Sequence, residues 1–538
     1  MSATHYGRWG RGQLLAFSAL EGPTDTASDL IARTDHDGVR IVMPEVAHLR
    51  FPSVPSVGSF AGDWFDVETS GGRIRGVLLD RSHLLLHGPV EVVAHHAKLV
   101  VQRQGDLTLI GVAAGFMPSA IATDIERTIA DRRAWLDGML ARLPAAVAAR
   151  PIAAKVLGMM KTMVCSAEGQ IPCRWTTPDR WPHRHAYLWD SAFHAVAWRH
   201  LDPALGLEQL AAMLHAQHAD GFIPHRMGPE GGTDITQPPV LAWAAAEVLA
   251  MYPSPDWLAW AYPRLERFLN WFVATRQVQD GLLAWQTTSI TTCRCDESGW
   301  DNSPRFDLSP SPLAIDLNAF LVREYRAMAG FAATLGRPAE ATAWTARATA
   351  LAAAIDRLLW DEERGIYGDR SPGAAATRPL RTPAGLLPLV HGLVSDQRAS
   401  RMAALVDDPQ VFGTPVPLPS VAVADQVGMA SLNDMWRGPV WININHQVIR
   451  GLQAHGFVDV AERVRSGTVA AIERWFDRQG SIYEFYDPFD RVAPPDLPRK
   501  GRNDPSSPYH QVIHDFGWSA TCWLDLVCMP KSPVDLTR

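Results

Sequence analysis

Cysteine is scarce in this chain. Six residues stand at positions 165, 173, 293, 295, 522 and 528 of 538, and none forms a C-x-x-C pair. A disulfide-built scaffold is excluded, and free thiols in a reducing compartment are expected. Cys293 and Cys295 are one residue apart, a poor spacing for a relaxed disulfide. No histidine stands near them at zinc-site spacing, so no metal and no other cofactor is expected. Positive charge is not in excess. Fifty Lys and Arg against 57 Asp and Glu give a net charge of −7, which leaves no footprint for nucleic acid. No apolar run is long enough to span a bilayer. The start Met1-Ser2-Ala3-Thr4-His5-Tyr6-Gly7 has no basic stretch followed by an apolar core. The expected address is therefore cytoplasmic, without a membrane partner. There is no repeat of fixed period, and homo-oligomerisation is left open.

The chain is 47% hydrophobic and long enough for two units. Its first part is strand-like. Val39–Met43 follows an Asp37-Gly38 turn signal, Ile74–Leu79 follows Ser70-Gly71-Gly72, and Leu99–Val101 and Leu107–Ile110 flank Gln104-Gly105-Asp106. Such runs predict an antiparallel sandwich over residues 1–122. Asp124 is placed to cap a helix continuing towards Ala149, a linker over 123–150. From 151 to 538 the period is helical: Trp189, Phe193 and Val196 fall on one face, as do Leu207, Leu210 and Leu214. Further helices are predicted over roughly 239–252, 257–276, 313–335, 339–360, 437–455, 457–477 and 516–528. Periodicity alone gives a large all-α domain.

Chemistry concentrates in Glu297-Ser298-Gly299-Trp300-Asp301-Asn302-Ser303-Pro304-Arg305-Phe306-Asp307. Gly299 and Pro304 predict a bent loop, which can aim several side chains at one point. Trp300 can stack on a sugar face, and Asp301 can protonate a glycosidic oxygen if a dry pocket raises its pKa. The plainer reading is an acidic surface loop with an Arg305–Asp307 ion pair. Far down the chain, Glu484 stands among Tyr483, Phe485 and Tyr486. Hydrolysis with inversion needs two carboxyl groups roughly 6.5–9.5 Å apart with a water between, and Glu484 is a candidate for the second. The chain has twenty tryptophans. Trp135, Trp243 and Trp344 read as packing residues; Trp189, Trp300, Trp436 and Trp441, beside polar residues, read as sugar-facing.

The Glu297–Asp301 run resembles the signature loop of inverting trehalases and of family 63 glycoside hydrolases. Its continuation through Arg305 is more similar to family 63. Met435-Trp436-Arg437-Gly438-Pro439-Val440-Trp441-Ile442-Asn443-Ile444-Asn445 resembles that family's second signature. Tyr187–Phe193, Thr236–Pro239, Tyr483–Pro488 and Phe516–Ala520 also match its pattern, so six segments follow in family order. The resemblance implies a mainly α chain, an (α/α)6 toroid preceded by the antiparallel β-sandwich, with the active site in a funnel at one end. It implies Asp301 as general acid and Glu484 as general base of an inverting, exo-acting, α-glucosidase-like enzyme. The substrate would be a small soluble carbohydrate losing a terminal α-glucosyl or α-mannosyl residue. Asp190 would bind hydroxyls of that sugar, unless it merely caps a helix near Ser191, and Gln237 would do likewise. Tyr187, Trp189, Phe193, Trp300, Trp436, Arg437, Gly438, Trp441 and Trp518 complete the expected substrate contacts.

Several residues admit two roles. Glu297 supplies negative charge to Asp301 or pairs with Arg305. Arg437 contacts substrate or braces a carboxylate, and Gly438-Pro439 reads as a helix start. His183-Arg184-His185 and His225-Arg226 bind an anionic aglycone such as glycerate, or are surface features. Residues 490–510, rich in Pro, Ser and charge, read as a lid that orders on substrate. Asp361-Glu362-Glu363 is a weak candidate for calcium. The competing functions are a sugar epimerase or phosphorolytic enzyme on the same toroid, and a non-catalytic sugar-binding protein.

Overall fold

The computed structural model describes residues 7–94, 97–308 and 311–531. Strands between Leu14 and Val112 form two antiparallel sheets, one of five strands and one of six. The expected turns are where the glycines require them: Asp35 pairs with Gly38, Thr69 with Gly72, and Gln104 with Leu107. Gly72 and Gly105 adopt φ of +117° and +57°, a region that favours glycine. Alternating burial turns Phe65, Val67, Ile74, Leu84 and Leu86 into the sandwich core.

Asp124 caps the helix Ile125–Leu140, accepting from the backbone N–H of Glu126 and Arg127. That helix packs on the six-stranded sheet, and a short turn, Ala145–Ala148, follows it. The rest is a double ring. Helices Leu188–Trp198, Leu241–Met251, Ile315–Thr334, Ile442–Ala454 and Gly517–Cys528, with the 3-10 segment Pro383–His391, touch in sequence and close an inner ring of six. Helices Ala153–Thr162, Pro203–His215, Pro255–Arg276, Pro338–Leu358, Asp396–Asp407 and Val458–Gln479 surround it. Leu188–Trp198 is buried along its whole length, as an inner helix must be. Among the described residues, no helix is long and apolar enough to cross a membrane.

One helical expectation is corrected, and two further helical segments had none. The helix predicted over 437–455 starts only at Ile442: Gly438 sits at φ +127°, and Val440 bridges to Tyr486 as extended chain. Gly438-Pro439 is therefore not a helix start. The inner-ring member Pro383–His391 was not anticipated, because Pro388 inside it lacks the N–H that an α-helix needs. Asp396–Asp407 escaped too; only Ala399, Met402, Ala403 and Val406 of its twelve residues are buried.

Buried charges join the two units. The Arg180 guanidinium meets Asp29 at 2.5 Å, both side chains 1% exposed. Within the barrel Lys155 meets Asp515 at 2.5 Å, and the same Asp515 oxygen accepts across the junction from the sandwich's Leu14 N–H at 2.8 Å. The other Asp515 oxygen holds Ser481 Oγ at 2.9 Å. The sandwich thus braces the segment that leads into Glu484.

Candidate active site

Loops at one end of the inner ring enclose a cavity of about 380 Å³ whose walls include Asp301, Glu484, Asp190, Gln237, Tyr187, Trp189, Trp436, Trp441 and Trp518. A larger cavity of about 760 Å³ lies between sandwich and barrel. Its carboxylates are Asp35, which pairs with Arg11 at 3.5 Å, and Asp496. The paired carboxyls and sugar-sized aromatic walls are in the smaller cavity, and the chemistry is placed there.

Asp301 follows a 3-10 turn, Asp296–Ser298, that ends in Gly299 at φ +74°. A Cβ at Gly299 would lie 2.4 Å from Trp189, so only glycine lets this loop meet the inner helix. Burial pushes the Asp301 carboxyl up to about 8; the charge of Asp296 adds to this, and Lys500 and Arg499 pull against it. Asp296, Asp301 and the Cys293 sulfur each offer an atom within 4.8 Å of the others. That trio could hold a cation, but the Lys500 ammonium already sits 3.3 Å from Cys293 Sγ. Burial also pushes the Cys293 thiol up to about 11. Cys295 is buried elsewhere, against the Gln286 carbonyl.

Glu484 lies in extended chain, its N–H donating to the Ile513 carbonyl at 3.1 Å. Arg499 grips its carboxylate with two bonds, Nε to Oε2 at 2.7 Å and Nη2 to Oε1 at 3.1 Å. Both side chains are 4% exposed. Asp190 lies inside the first turn of the Leu188–Trp198 helix, so it is not that helix's N-cap. Its Oδ1 is buried without a hydrogen-bond partner, and burial holds its pKa well above the carboxylate range. Gln237 Oε1 accepts from the Trp189 N–H at 3.3 Å.

Trp436 and Trp441 stack at 3.9 Å with planes 2° apart, and Trp189 meets Trp518 edge-on at 5.3 Å. Trp436 is aimed by a loop in which Ser431, Asn433 and Met435 all adopt positive φ.

Four expected substrate contacts are corrected. Trp300 lies beneath Trp436, rings 4.4 Å apart, fully buried and away from the cavity wall. Phe193 packs against Trp243 and His446 one turn below Trp189. Arg437 turns outward to Asp307, at 2.9 Å, and to the Asn302 carbonyl. Gly438 is bound through its N–H to Ser420 and does not line the cavity. Nor does Glu297 charge Asp301: Arg276 neutralises it with bonds of 2.5 and 3.1 Å. Arg305 pairs with Asp316 and Asp369, not with Asp307 or Glu297. Two of the three candidate calcium carboxylates are occupied, Asp361 by Arg364 and Glu362 by Arg401.

The cavity mouth is basic. His183, Arg184, His185, His225, Arg226 and Lys500 line it, with Asp234 and Tyr509. Burial and the neighbouring arginines push His185 down to about 4 and His225 to about 3, while Arg184, Arg226 and Lys500 bring positive charge to the mouth. Sequence reasoning missed Asp296, Arg499 and Lys500. The run Arg499-Lys500-Gly501-Arg502 was visible, but nothing in it showed which carboxylates it would meet.

A family model described as the mannosylglycerate hydrolase MGH1-like glycoside hydrolase domain matches residues 183–519. A mannosylglycerate hydrolase of Thermus thermophilus is 25% identical over 395 residues, covering 58% of this chain and 91% of that protein. A crystal structure of GH63 mannosylglycerate hydrolase from Thermus thermophilus in complex with glucose shares the barrel at TM-score 0.55 and 24% identity. The likeness covers 69% of this chain and 98% of that chain. A bacterial glucoamylase complexed with acarbose shares the fold at TM-score 0.62 and 10% identity, over 99% of this chain and 96% of its own. The family match excludes the sandwich; the glucoamylase likeness includes it.

Proposed function

We propose a function on one premise: this chain belongs to the family of mannosylglycerate hydrolase MGH1-like glycoside hydrolases, within glycoside hydrolase family 63. It is a glycoside hydrolase. On our reading it is inverting and exo-acting, and removes one terminal α-mannosyl or α-glucosyl residue from a small glycoside with an acidic aglycone. Asp301 is the general acid: it gives its proton to the glycosidic oxygen as the bond to the anomeric carbon breaks. Glu484 is the general base: it takes a proton from the water that attacks that carbon from the other face.

One observation carries this reading. Two carboxyls share a cavity in opposite surroundings: Asp301, buried beside Asp296, is pushed up to about 8, and Glu484 is held by two bonds from the Arg499 guanidinium. Asp190, with its unpartnered buried oxygen, and Gln237 suit the hydroxyls of the bound sugar. Trp189, Trp436, Trp441 and Trp518 suit its C–H faces. The basic mouth supports an acidic aglycone, and the mannosylglycerate hydrolases among the relatives point the same way. Epimerase chemistry finds no support: His183 is tied to Asp179 at 2.7 Å, and His185 and His225 are held neutral. All six cysteines are free, which fits a reducing, cytoplasmic address.

The test compares kcat/KM for α-mannosylglycerate, α-glucosylglycerate and the corresponding neutral glycerol glycosides. A preference of at least about tenfold for the acidic aglycone is expected, one good charge contact's worth. Equal rates, or a preference for the neutral series, would contradict the assignment.

A further inference from the structure

The turn Arg499–Arg502 belongs to neither signature loop, yet it reaches both catalytic carboxyls. Arg499 donates to the Arg502 carbonyl through its own N–H, and the same pair of residues forms an isolated bridge. Lys500 and Gly501 adopt φ of +57° and +85° between them. This reversal sends two consecutive cations in different directions. Arg499 goes to Glu484, and its remaining Nη1 donates to the Tyr509 carbonyl at 2.9 Å. Lys500 goes to the Cys293, Asp296 and Asp301 group, with Nζ 3.3 Å from Cys293 Sγ. The turn is also tied to the acid loop through a third residue. Gly501 N–H donates to Asp434 Oδ2 at 2.8 Å, and Asn302 Nδ2, next to Asp301, donates to the same oxygen at 3.2 Å. Asn302 Oδ1 in turn accepts from the Trp436 N–H at 3.0 Å. Acid loop, base strand and sugar-facing tryptophan thus meet at one short segment.

We propose that this turn assembles the active site, with Arg499 the positioning residue for Glu484 and Lys500 the positioning charge for Asp301. The inference rests on the acid and base roles proposed above. A guanidinium with two bonds to one carboxylate fixes the plane of that carboxylate as well as its charge. Glu484 then presents a defined lone pair to the water. Lys500 acts through charge at the other carboxyl. The charged groups facing Asp301 are Asp296 and Cys293 on its own loop, Lys500 and Arg499 on the turn, Glu484 on the base strand and Asp190 on the inner helix. Those facing Glu484 are Arg499, Asp301 and Asp190. Lys500 is the cation that balances the acid cluster, and Arg499 the one that balances the base. If the turn leaves, both carboxyls lose their counter-charges together.

The experiment measures kcat/KM against pH for the full chain and for Arg499→Met, Arg499→Lys and Lys500→Met. Removing a cation raises the pKa of the carboxyl it faces. Arg499→Met should therefore move the acid limb upward by about one pH unit or more, and the alkaline limb upward by less, because Arg499 also faces Asp301. Arg499→Lys should recover part of that shift. Lys500→Met should move the alkaline limb upward by a similar amount and leave the acid limb in place. Folded variants, by circular dichroism and melting, whose rates fall with both limbs unmoved would overturn the proposal. Should Arg499→Met not fold, the partly exposed Lys500 site still decides it through its own limb. A wild-type profile with no acid or alkaline limb at all would instead overturn the acid–base reading.

Discussion

At the residue scale, Asp301 is set between opposing neighbours. Burial and Asp296 favour its protonated form, and Lys500 and Arg499 favour the anion. Replacing Asp296 by Asn removes a like charge, so the alkaline limb of the pH–rate profile should move to lower pH, the reverse of Lys500→Met. An unmoved limb would show that the two carboxyls are independent. The proton also has a cost in stability. Folded, Asp301 holds it to about pH 8; its ordinary value is 3.8. Between these values the folded chain binds the extra proton, so stability falls as pH rises. Asp301→Asn should lose about 10²–10⁴ in kcat. Its melting temperature should match wild type near pH 4 and exceed it increasingly towards pH 8, as thermal melts across that range would show. Asp301 and Glu484 could be singled out in the sequence because their runs resemble family signatures; the plainer reading of the first run fails because Arg305 turns to Asp316 and Asp369. Asp296 was not: one position from Glu297, it could be told apart only by Arg276, which arrives from another helix to neutralise Glu297.

At the element scale, the inner ring is a set of buried helices locked by charges. Asp525 on Gly517–Cys528 meets Arg199, His200 and His446 at 2.7 Å each, and Arg450 at 3.5 Å. Glu247, from Leu241–Met251, pairs with Arg199 and Arg450. Four of the six ring members, or their ends, share this cluster. Removing one partner leaves buried charge uncompensated, and Asp525→Ala should cost about 3–5 kcal/mol, read as a lower thermal midpoint. The helices with a continuous apolar stripe were legible from period alone. Pro383–His391 was not, since its place in the ring is set by tertiary packing and not by propensity. The 490–510 segment reads as a polar lid, but its hold on Glu484 was not legible, because Arg499 looks like any loop arginine until Glu484 is placed beside it.

At the scale of the whole molecule, the sandwich serves the barrel by holding the base strand from behind. Leu14 N–H and Lys155 Nζ converge on Asp515, which orients Ser481 three residues before Glu484. Lys155→Met should lower the thermal midpoint by the equivalent of about 3–5 kcal/mol and reduce kcat more than it changes KM, in melts and steady-state rates. Two units, one β and one α, were legible from the change of period near residue 120. Their coupling was not, because Lys155, Asp515 and Leu14 are scattered along the chain and meet only in three dimensions.

The most direct measurement is proton NMR of the first sugar released from an α-glycoside such as α-mannosylglycerate, with Asp301→Asn and Glu484→Gln beside the wild type. Initial release of the β-anomer by the wild type, abolished in both variants, is the predicted result. Initial release of the α-anomer, or undiminished turnover in either variant, would contradict the assignment of Asp301 as acid and Glu484 as base.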